Sequence, residues 1–387
     1  MKDLQFPVDE YHTRIERARA LMRAARLDAL LVGTGSNFTY LSGYPSPAKS
    51  TARPFFMIVP LEHEPFVLVQ DGRRLEAERY AWVPDIRTYS QLSRVPVDAL
   101  VDLLRESRIE RGRIGIERGH EMLPAYPLWE LMEIGERLPG LEFHDASSLL
   151  WDLRMVKSPR EIDLVRQACL VTSRVYARCL PELHPGMSEV EAARLFAIAH
   201  LKEGGEMPRC IVVSDPRDYD LASKPPGARR FASGDFVWFD VGCSVGGYHS
   251  DFSRAAVLGR ASAAQARAQA IINRATTAGL KCVRHGVPAS TVARACDQVI
   301  DESGLALTSN ISRIGGRIGH GLGLDVLELP SINAHDSTVL RAGMVLTVEP
   351  GVATKDGIFH QEQDVLVTED GCEILSTAPT DIYEISG

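Results

Sequence analysis

Apolar residues form two kinds of run along this chain, and the alternation between them predicts its elements. From Tyr11 to Arg26 they recur at helical spacing, with Ile15, Ala18, Leu21 and Met22 on one face. Asp28-Ala-Leu-Leu-Val32 is a continuous apolar run of strand length, ending at the turn-forming Gly33-Thr-Gly-Ser36. Phe55-Phe-Met-Ile-Val59 and Pro65-Phe-Val-Leu-Val69 predict two more strands across the polar turn Glu62-His63-Glu64. Arg113-Ile-Gly-Ile-Glu117 predicts another short one. Together they describe a mixed α/β domain with a modest sheet over residues 1–150.

A boundary falls near Trp151 to Pro159. Ser158-Pro159-Arg160-Glu161 carries three helix-start signals: Ser as N-cap, Pro at the first helical position and Glu at the third. The helix that follows puts Ile162, Val165 and Ala168 on one face. Residues 151–387 then read as helices first and strands later, an α+β domain. One pattern repeats inside it. Gly186-Met-Ser188 and Gly286-Val-Pro-Ala-Ser290 each place a Ser cap before an amphipathic helix, after a Gly stop. Two ordinary caps account for this, and so does an internal duplication.

Composition narrows the class. A length of 387 residues predicts two domains, and 45% apolar with 24% charged residues is the balance of an ordinary soluble globular protein. No apolar run reaches the roughly 20 residues that a bilayer crossing needs. No apolar core follows the charge at Lys2, so no secretory signal is expected. The net charge of −8 is mild and spread out, without a basic run or an acidic tail, which argues against nucleic acid or a membrane surface as partner. Seven scattered cysteines without a C-x-x-C pair predict reduced thiols and a cytoplasmic location.

The chemistry begins at Phe236-Val-Trp-Phe-Asp240-Val-Gly242. A carboxylate in so apolar a strand needs a compensating partner. Asp251 lies eleven residues on, and Ser244-Val-Gly246-Gly247 between them reads as a hairpin turn that brings the two aspartates together. A divalent cation would relieve their repulsion; a pairing of Asp251 with Arg254 is the plainer alternative. His320 sits among glycines in Gly319-His-Gly-Leu-Gly323, a pattern that alone is more often a loop than a ligand. Glu349 ends an apolar run before Pro350-Gly351, and Glu362 precedes the strand Val365-Leu-Val-Thr368. Four carboxylates and one imidazole form a hard donor set suited to Mn, Fe, Co or Zn, and four negative charges suggest two divalent ions.

These segments, in this order, resemble the pita-bread metallohydrolases: methionine aminopeptidases, proline-specific aminopeptidases, prolidases and creatinases. The eleven-residue interval from Asp240 to Asp251 and the twenty-nine from His320 to Glu349 match the prolidase-like members. The resemblance implies metal ligands Asp240, Asp251, His320, Glu349 and Glu362, with two divalent ions, Mn first and Fe, Co or Zn as alternatives. It implies a creatinase/prolidase-type N-terminal domain over 1–150, carried by Asn37-Phe-Thr-Tyr-Leu-Ser-Gly43-Tyr44, and a pita-bread catalytic domain with a curved antiparallel sheet over 151–387. Arg154-Met-Val-Lys157-Ser158-Pro159-Arg-Glu161-Ile162 is similar to the family's interdomain connection. It also implies a homodimer in which Tyr44 and Arg53 of one copy could help close the other's site.

Where the resembled peptidases carry His-x-x-Pro before the first metal strand, this chain has Ser223-Lys-Pro-Pro226, and Leu327 stands where a second histidine would precede Glu328. The expected activity is hydrolysis of an amide-like C–N bond in a dipeptide or other small substrate through a metal-bridged hydroxide, with Glu349 as general base. The alternative is a member acting on a small zwitterion, by dimethylsulfoniopropionate-lyase-like or ectoine-hydrolase-like chemistry. His249 and His360 each lie two residues before a ligand and so share its strand face; either could deliver the leaving-group proton. Tyr219 is the candidate substrate contact from a loop, with Asp218 and Asp220, that reads as chiefly solvated.

Overall fold

The computed structural model describes residues 2–45, 53–92, 94–122, 126–221 and 223–385. Two compact units emerge, Met1–Arg154 and Met155–Gly387.

In the first unit, β1 (Ala29–Gly33), β2 (Phe56–Pro60), β3 (Phe66–Gln70), β4 (Asp85–Tyr89), β5 (Arg111–Ile116) and β6 (Gly140–Asp145) form one sheet in the order β4-β3-β2-β1-β5-β6. β1 to β3 form an antiparallel meander, while β4, β5 and β6 join in parallel. Leu31, Ile58, Leu68 and Ile114 bury one face against Leu100, Val101 and Leu104 of the helix Val97–Glu106. The first predicted helix spans Val8–Ala25 and stops at Arg26, whose φ of 56° is left-handed. Glu117 is buried, but its carboxylate accepts from Gly33 N at 2.8 Å and Asn37 Nδ2 at 2.6 Å. Arg154 donates to the same Asn37 at 3.0 Å, which ties the last residue of this unit to the segment just after β1.

The second unit opens with the helix Pro159–Cys179, whose capping box joins Ser158 and Glu161 as the sequence predicts. One sheet holds β7 (Glu206–Val213), β8 (Phe236–Val245), β9 (Tyr248–His249) and β10 (Phe252–Val257), with β18 (Tyr383–Glu384) at its edge. The other holds β11 (His320–Gly321), β12 (Glu328–Ser331), β13 (Val345–Val348), β16 (Gln363–Val367) and β17 (Cys372–Ile374); β14 (Gly351–Thr354) and β15 (Gly357–His360) pair as a hairpin. Apart from the edge strand β18, the pairings are antiparallel. Helices Pro159–Cys179 and Glu189–Lys202 pack on β8 and β7, and Ala263–Cys282 packs on β15.

The repeat at Gly186 and Gly286 extends to the backbone. Gly186 N donates to Phe231 O at 2.7 Å and Phe231 N to Met187 O; Gly286 N donates to Leu340 O at 2.8 Å and Leu340 N to Val287 O. Both glycines are left-handed, with φ of 90° and 82°. The caps differ, which corrects the expected Ser290 cap. Ser188 caps the helix Glu189–Lys202, but Ala289–Asp301 starts after Pro288 without a side-chain cap. There the carbonyls of Thr338 and Asp336 take the N–H groups of Ala289 and Ser290, so no side-chain acceptor is needed.

Candidate metal centre

The hairpin that carries the aspartates turns at Gly246 and Gly247, both with positive φ (56° and 79°) as a tight two-residue turn requires. Its return strand is broken. Ser244 pairs with His249 on β9, Asp240 pairs with Ser253 on β10, and Asp251 stands in the gap between. A Cβ on Gly242 would collide with Ser250 O, so the gap passes against bare backbone. The glycines beside His320 act likewise: side chains at Gly319 and Gly321 would strike Thr347 O and Leu329 O. His320 N donates to Thr347 Oγ1 at 3.1 Å, and that hydroxyl donates to Glu349 Oε1 at 3.2 Å, tying two predicted ligands through one threonine.

The donor atoms converge in two overlapping groups. Asp251, His320 and Glu362 each offer an atom within 4.8 Å of the others, and so do Glu349, His360 and Glu362. His320 Nδ1 lies 2.9 Å from Gly321 O, an atom that can only accept, so Nδ1 carries the hydrogen. The bare Nε2 then faces Glu349 Oε1 at 3.3 Å and Asp251 Oδ2 at 3.8 Å. His360 repeats the arrangement. Ser253 Oγ donates its single proton to His360 O at 2.8 Å, so it accepts from Nδ1 at 3.1 Å, and Nε2 faces Glu349 Oε2 at 3.3 Å. Lone pairs aimed at carboxylates repel unless a proton or a metal ion lies between them. For His320 burial opposes the proton by pushing the imidazole down, which makes a metal ion the fitting bridge.

The charges agree with this. Burial pushes the Glu362 carboxyl well above the usual range, and the charges of Glu349, Asp240 and Asp364 add to it. Its Oε2 is buried and finds no hydrogen-bond partner among the described residues. Glu349 lies under opposing influences, burial raising its carboxyl and the charge of Arg317 lowering it. A crowd of buried acids with an unpartnered oxygen is a site built for a cation.

Asp240 is engaged differently. Arg209 of β7 holds both its oxygens, Nη2 to Oδ1 at 3.0 Å and Nη1 to Oδ2 at 3.1 Å, and the same Nη2 abuts Asp251 Oδ1. Asp251 therefore does not pair with Arg254. That arginine is buried and spends its donors on the carbonyls of Ser253, Glu362 and Ala378 and on Gln363 Oε1.

Other sequence-predicted residues lie elsewhere. His249 is half-buried beside Asp325, Glu328, Arg209 and Glu206, its imidazole pushed down by burial, and it belongs to neither donor group. Tyr219 is not a solvated loop residue: it is buried, packs edge-on against Phe236, and its hydroxyl reaches Phe236 O at 3.4 Å. Tyr44 is buried in the N-terminal unit between Phe55 and Tyr80, with its hydroxyl donating to Glu76 at 2.8 Å; Arg53 is exposed. Ser223 and Leu327 are exposed. Arg209, Ser253 and Asp364 have no counterpart in the sequence reading. Arginine in the run Arg209-Cys-Ile-Val-Val213 was the available signal, a permanent charge in a strand next to the apolar Asp240 strand.

Comparison with known proteins accords with this geometry. The model of "Metallopeptidase family M24" matches residues 163–369, and that of "Creatinase/Prolidase N-terminal domain" matches residues 14–156. The probable dipeptidase PepE of Mycobacterium tuberculosis is 30% identical over 100% of this chain and 99% of its own. The ectoine hydrolase of Halomonas elongata is 26% identical, covering 98% of each. Among solved structures, a prolidase from Thermococcus sibiricus superposes with a TM-score of 0.86 at 26% identity, over 97% of this chain and 99% of that one.

Proposed function

Since the chain belongs to metallopeptidase family M24 and has its two-domain pita-bread fold with a creatinase/prolidase N-terminal domain, we propose that it hydrolyses an amide-like C–N bond in a dipeptide-sized substrate. One observation carries the site assignment. The bare Nε2 atoms of His320 and His360 face the two oxygens of Glu349, each at 3.3 Å, with both Nδ1 atoms held from behind.

Asp251, His320, Glu349 and Glu362 would hold a divalent ion, with His360 close enough to join them. The resemblance implies two ions, manganese first and iron, cobalt or zinc as alternatives; a second would need Asp240, whose oxygens Arg209 holds. When bound, such an ion supplies Lewis acidity and a more acidic water. Glu349, held by the Thr347 hydroxyl at 3.2 Å, accepts the proton of the attacking water as general base. His360, oriented by Ser253 and 3.3 Å from Glu349 Oε2, takes that proton on from Glu349 and gives it to the leaving nitrogen, with His249 as the alternative carrier. Exposed Arg53 remains a proposed substrate contact of a cytoplasmic homodimer, whereas Tyr44 and Tyr219 are buried with their hydroxyls engaged by Glu76 and Phe236 O. The seven cysteines stand outside any disulfide, and among the described residues no helix is long and apolar enough to cross a membrane.

A second reading rests on Ser223 and Leu327, which stand exposed where the resembled peptidases have histidines. Losing both favours a small zwitterion over an Xaa-Pro dipeptide, through ring-opening hydrolysis or a lyase reaction. The deciding experiment assays manganese-loaded protein with Xaa-Pro dipeptides beside ectoine, dimethylsulfoniopropionate and ureido or amidino acids. Turnover of a dipeptide supports the first reading and turnover of a zwitterion the second. Inactivity on all of them, with metal bound, would refute both.

A further inference from the structure

We propose that the Arg209 guanidinium takes the place of one of the two divalent ions that this donor set implies, so that the loaded protein carries a single ion per chain. The inference rests on the metal reading above and changes its stoichiometry.

The backbone directs Arg209 at the site. On β7 it pairs with Gly242, two residues beyond Asp240 on β8, so Arg209 and Asp240 share one face of the sheet. The register shifts between Glu206 and Arg209, and Met207 within that stretch has a φ of 46°. A bulge of this kind re-aims the side chains that follow it and is frequent beside active sites. The guanidinium is thereby delivered by a shaped strand.

Its contacts divide the donor set. Both oxygens of Asp240 receive parallel N–H bonds at 3.0 and 3.1 Å, the two-pronged geometry that suits a guanidinium and a carboxylate. Asp251 is shared: Oδ1 abuts Arg209 Nη2, and Oδ2 turns to His320 Nε2 at 3.8 Å. Asp240 and half of Asp251 therefore face a fixed cation, while the other half of Asp251, His320, Glu349 and Glu362 face one another. Asp240 accordingly stands outside both groups of converging donors.

Arginine keeps its charge at any physiological pH, so it cannot make room by losing a proton. A second dication on Asp240 would sit against that charge and compete for the same two oxygens. One guanidinium and one divalent ion supply three positive charges to four carboxylates. Two divalent ions beside Arg209 would supply five.

The test counts ions. Purified full-length protein is saturated with Mn(II), freed of excess and analysed for manganese per chain by elemental analysis and native mass spectrometry. One ion per chain is expected, with the electron paramagnetic resonance of isolated Mn(II). Two per chain, with an exchange-coupled signal, would overturn the proposal and leave metal dependence standing; none at saturation would overturn both. Arg209→Ala frees Asp240 and is expected to raise the count to two in protein whose circular dichroism shows it folded. Should that variant not fold, Asp240→Asn serves: one ion retained is expected, and loss of that ion would overturn the proposal.

Discussion

Asp364 Oδ2 accepts the backbone N–H of Asp251 at 3.0 Å, across 113 residues of chain. The bond pins the gap between β9 and β10 to β16, and with it the carboxylate that Arg209 and His320 share. Asp364 also accepts from Cys169 Sγ at 3.2 Å, and burial pushes its carboxyl well up. Asp364→Ala leaves a buried N–H without an acceptor, at a cost of ~1–3 kcal/mol. It should also weaken metal binding by about 10–100-fold, as loss of a group that orients a ligand does. Asparagine keeps an acceptor and should lose less. Thermal melts and a metal titration read the two effects, and wild-type metal affinity in the alanine variant would rule out the positioning role.

Removing the metal should destabilise the protein and not merely silence it. A ligand bound only by the folded state at 1,000 times its Kd contributes about 4 kcal/mol. Chelation should therefore lower the melting temperature, and added manganese should restore it. In His320→Ala the melt should no longer respond to manganese, because the imidazole nitrogen that faces both Asp251 and Glu349 is gone. An unchanged response to metal would remove His320 from the donor set.

Much of this was legible in the sequence, for identifiable reasons. Asp240, Glu349 and Glu362 stand out because a carboxylate in or beside an apolar run demands compensation, and the glycines around His320 mark the backbone collisions that side chains there would cause. The Ser158 cap, the Gly246-Gly247 turn and the repeat at Gly186 and Gly286 are local signals, and the fold uses all three. What was not legible depends on register. Arg209 reaches Asp240 only because a bulge shifts β7, and Ser253 orients His360 only through pairing across 107 residues. Tyr219 reads as solvated from its polar neighbours, yet one ring buried against Phe236 decides its place.

Arg254 carries the next prediction. It is buried at 1% exposure and binds three carbonyls, among them Glu362 O at 2.8 Å, so it fixes the backbone of a proposed ligand without touching the carboxylate. Burial pushes its guanidinium down to about 10, so it stays charged at neutral pH. Arg254→Lys keeps the charge but cannot reproduce the planar fork that bonds Ala378 O through Nε and Nη2. We expect a loss of ~1–3 kcal/mol for each buried acceptor left unsatisfied, with denaturant midpoints as the measure. A lysine variant as stable as wild type would show that these carbonyls find other donors.

His200 is expected to make the fold sensitive to acid. It is fully buried on the helix Glu189–Lys202, donating from Nδ1 to Phe196 O at 2.9 Å, with Nε2 3.2 Å from Thr172 Oγ1. Burial pushes its pKa down to about 4. In the unfolded chain an ordinary histidine titrates near 6.5, so between about 4 and 6.5 the unfolded state binds the extra proton. The contribution of neutral His200 is thus complete above pH ~6.5, falls as pH falls through that window, and is gone below about 4, amounting to on the order of 3 kcal/mol. His200→Gln has no proton to gain, so its stability should decline less steeply than wild type from pH 7 to pH 4, whatever its absolute value. Urea unfolding at a series of pH values gives both slopes. If they coincide, the acid lability belongs to another group, and the buried imidazole is not what sets it.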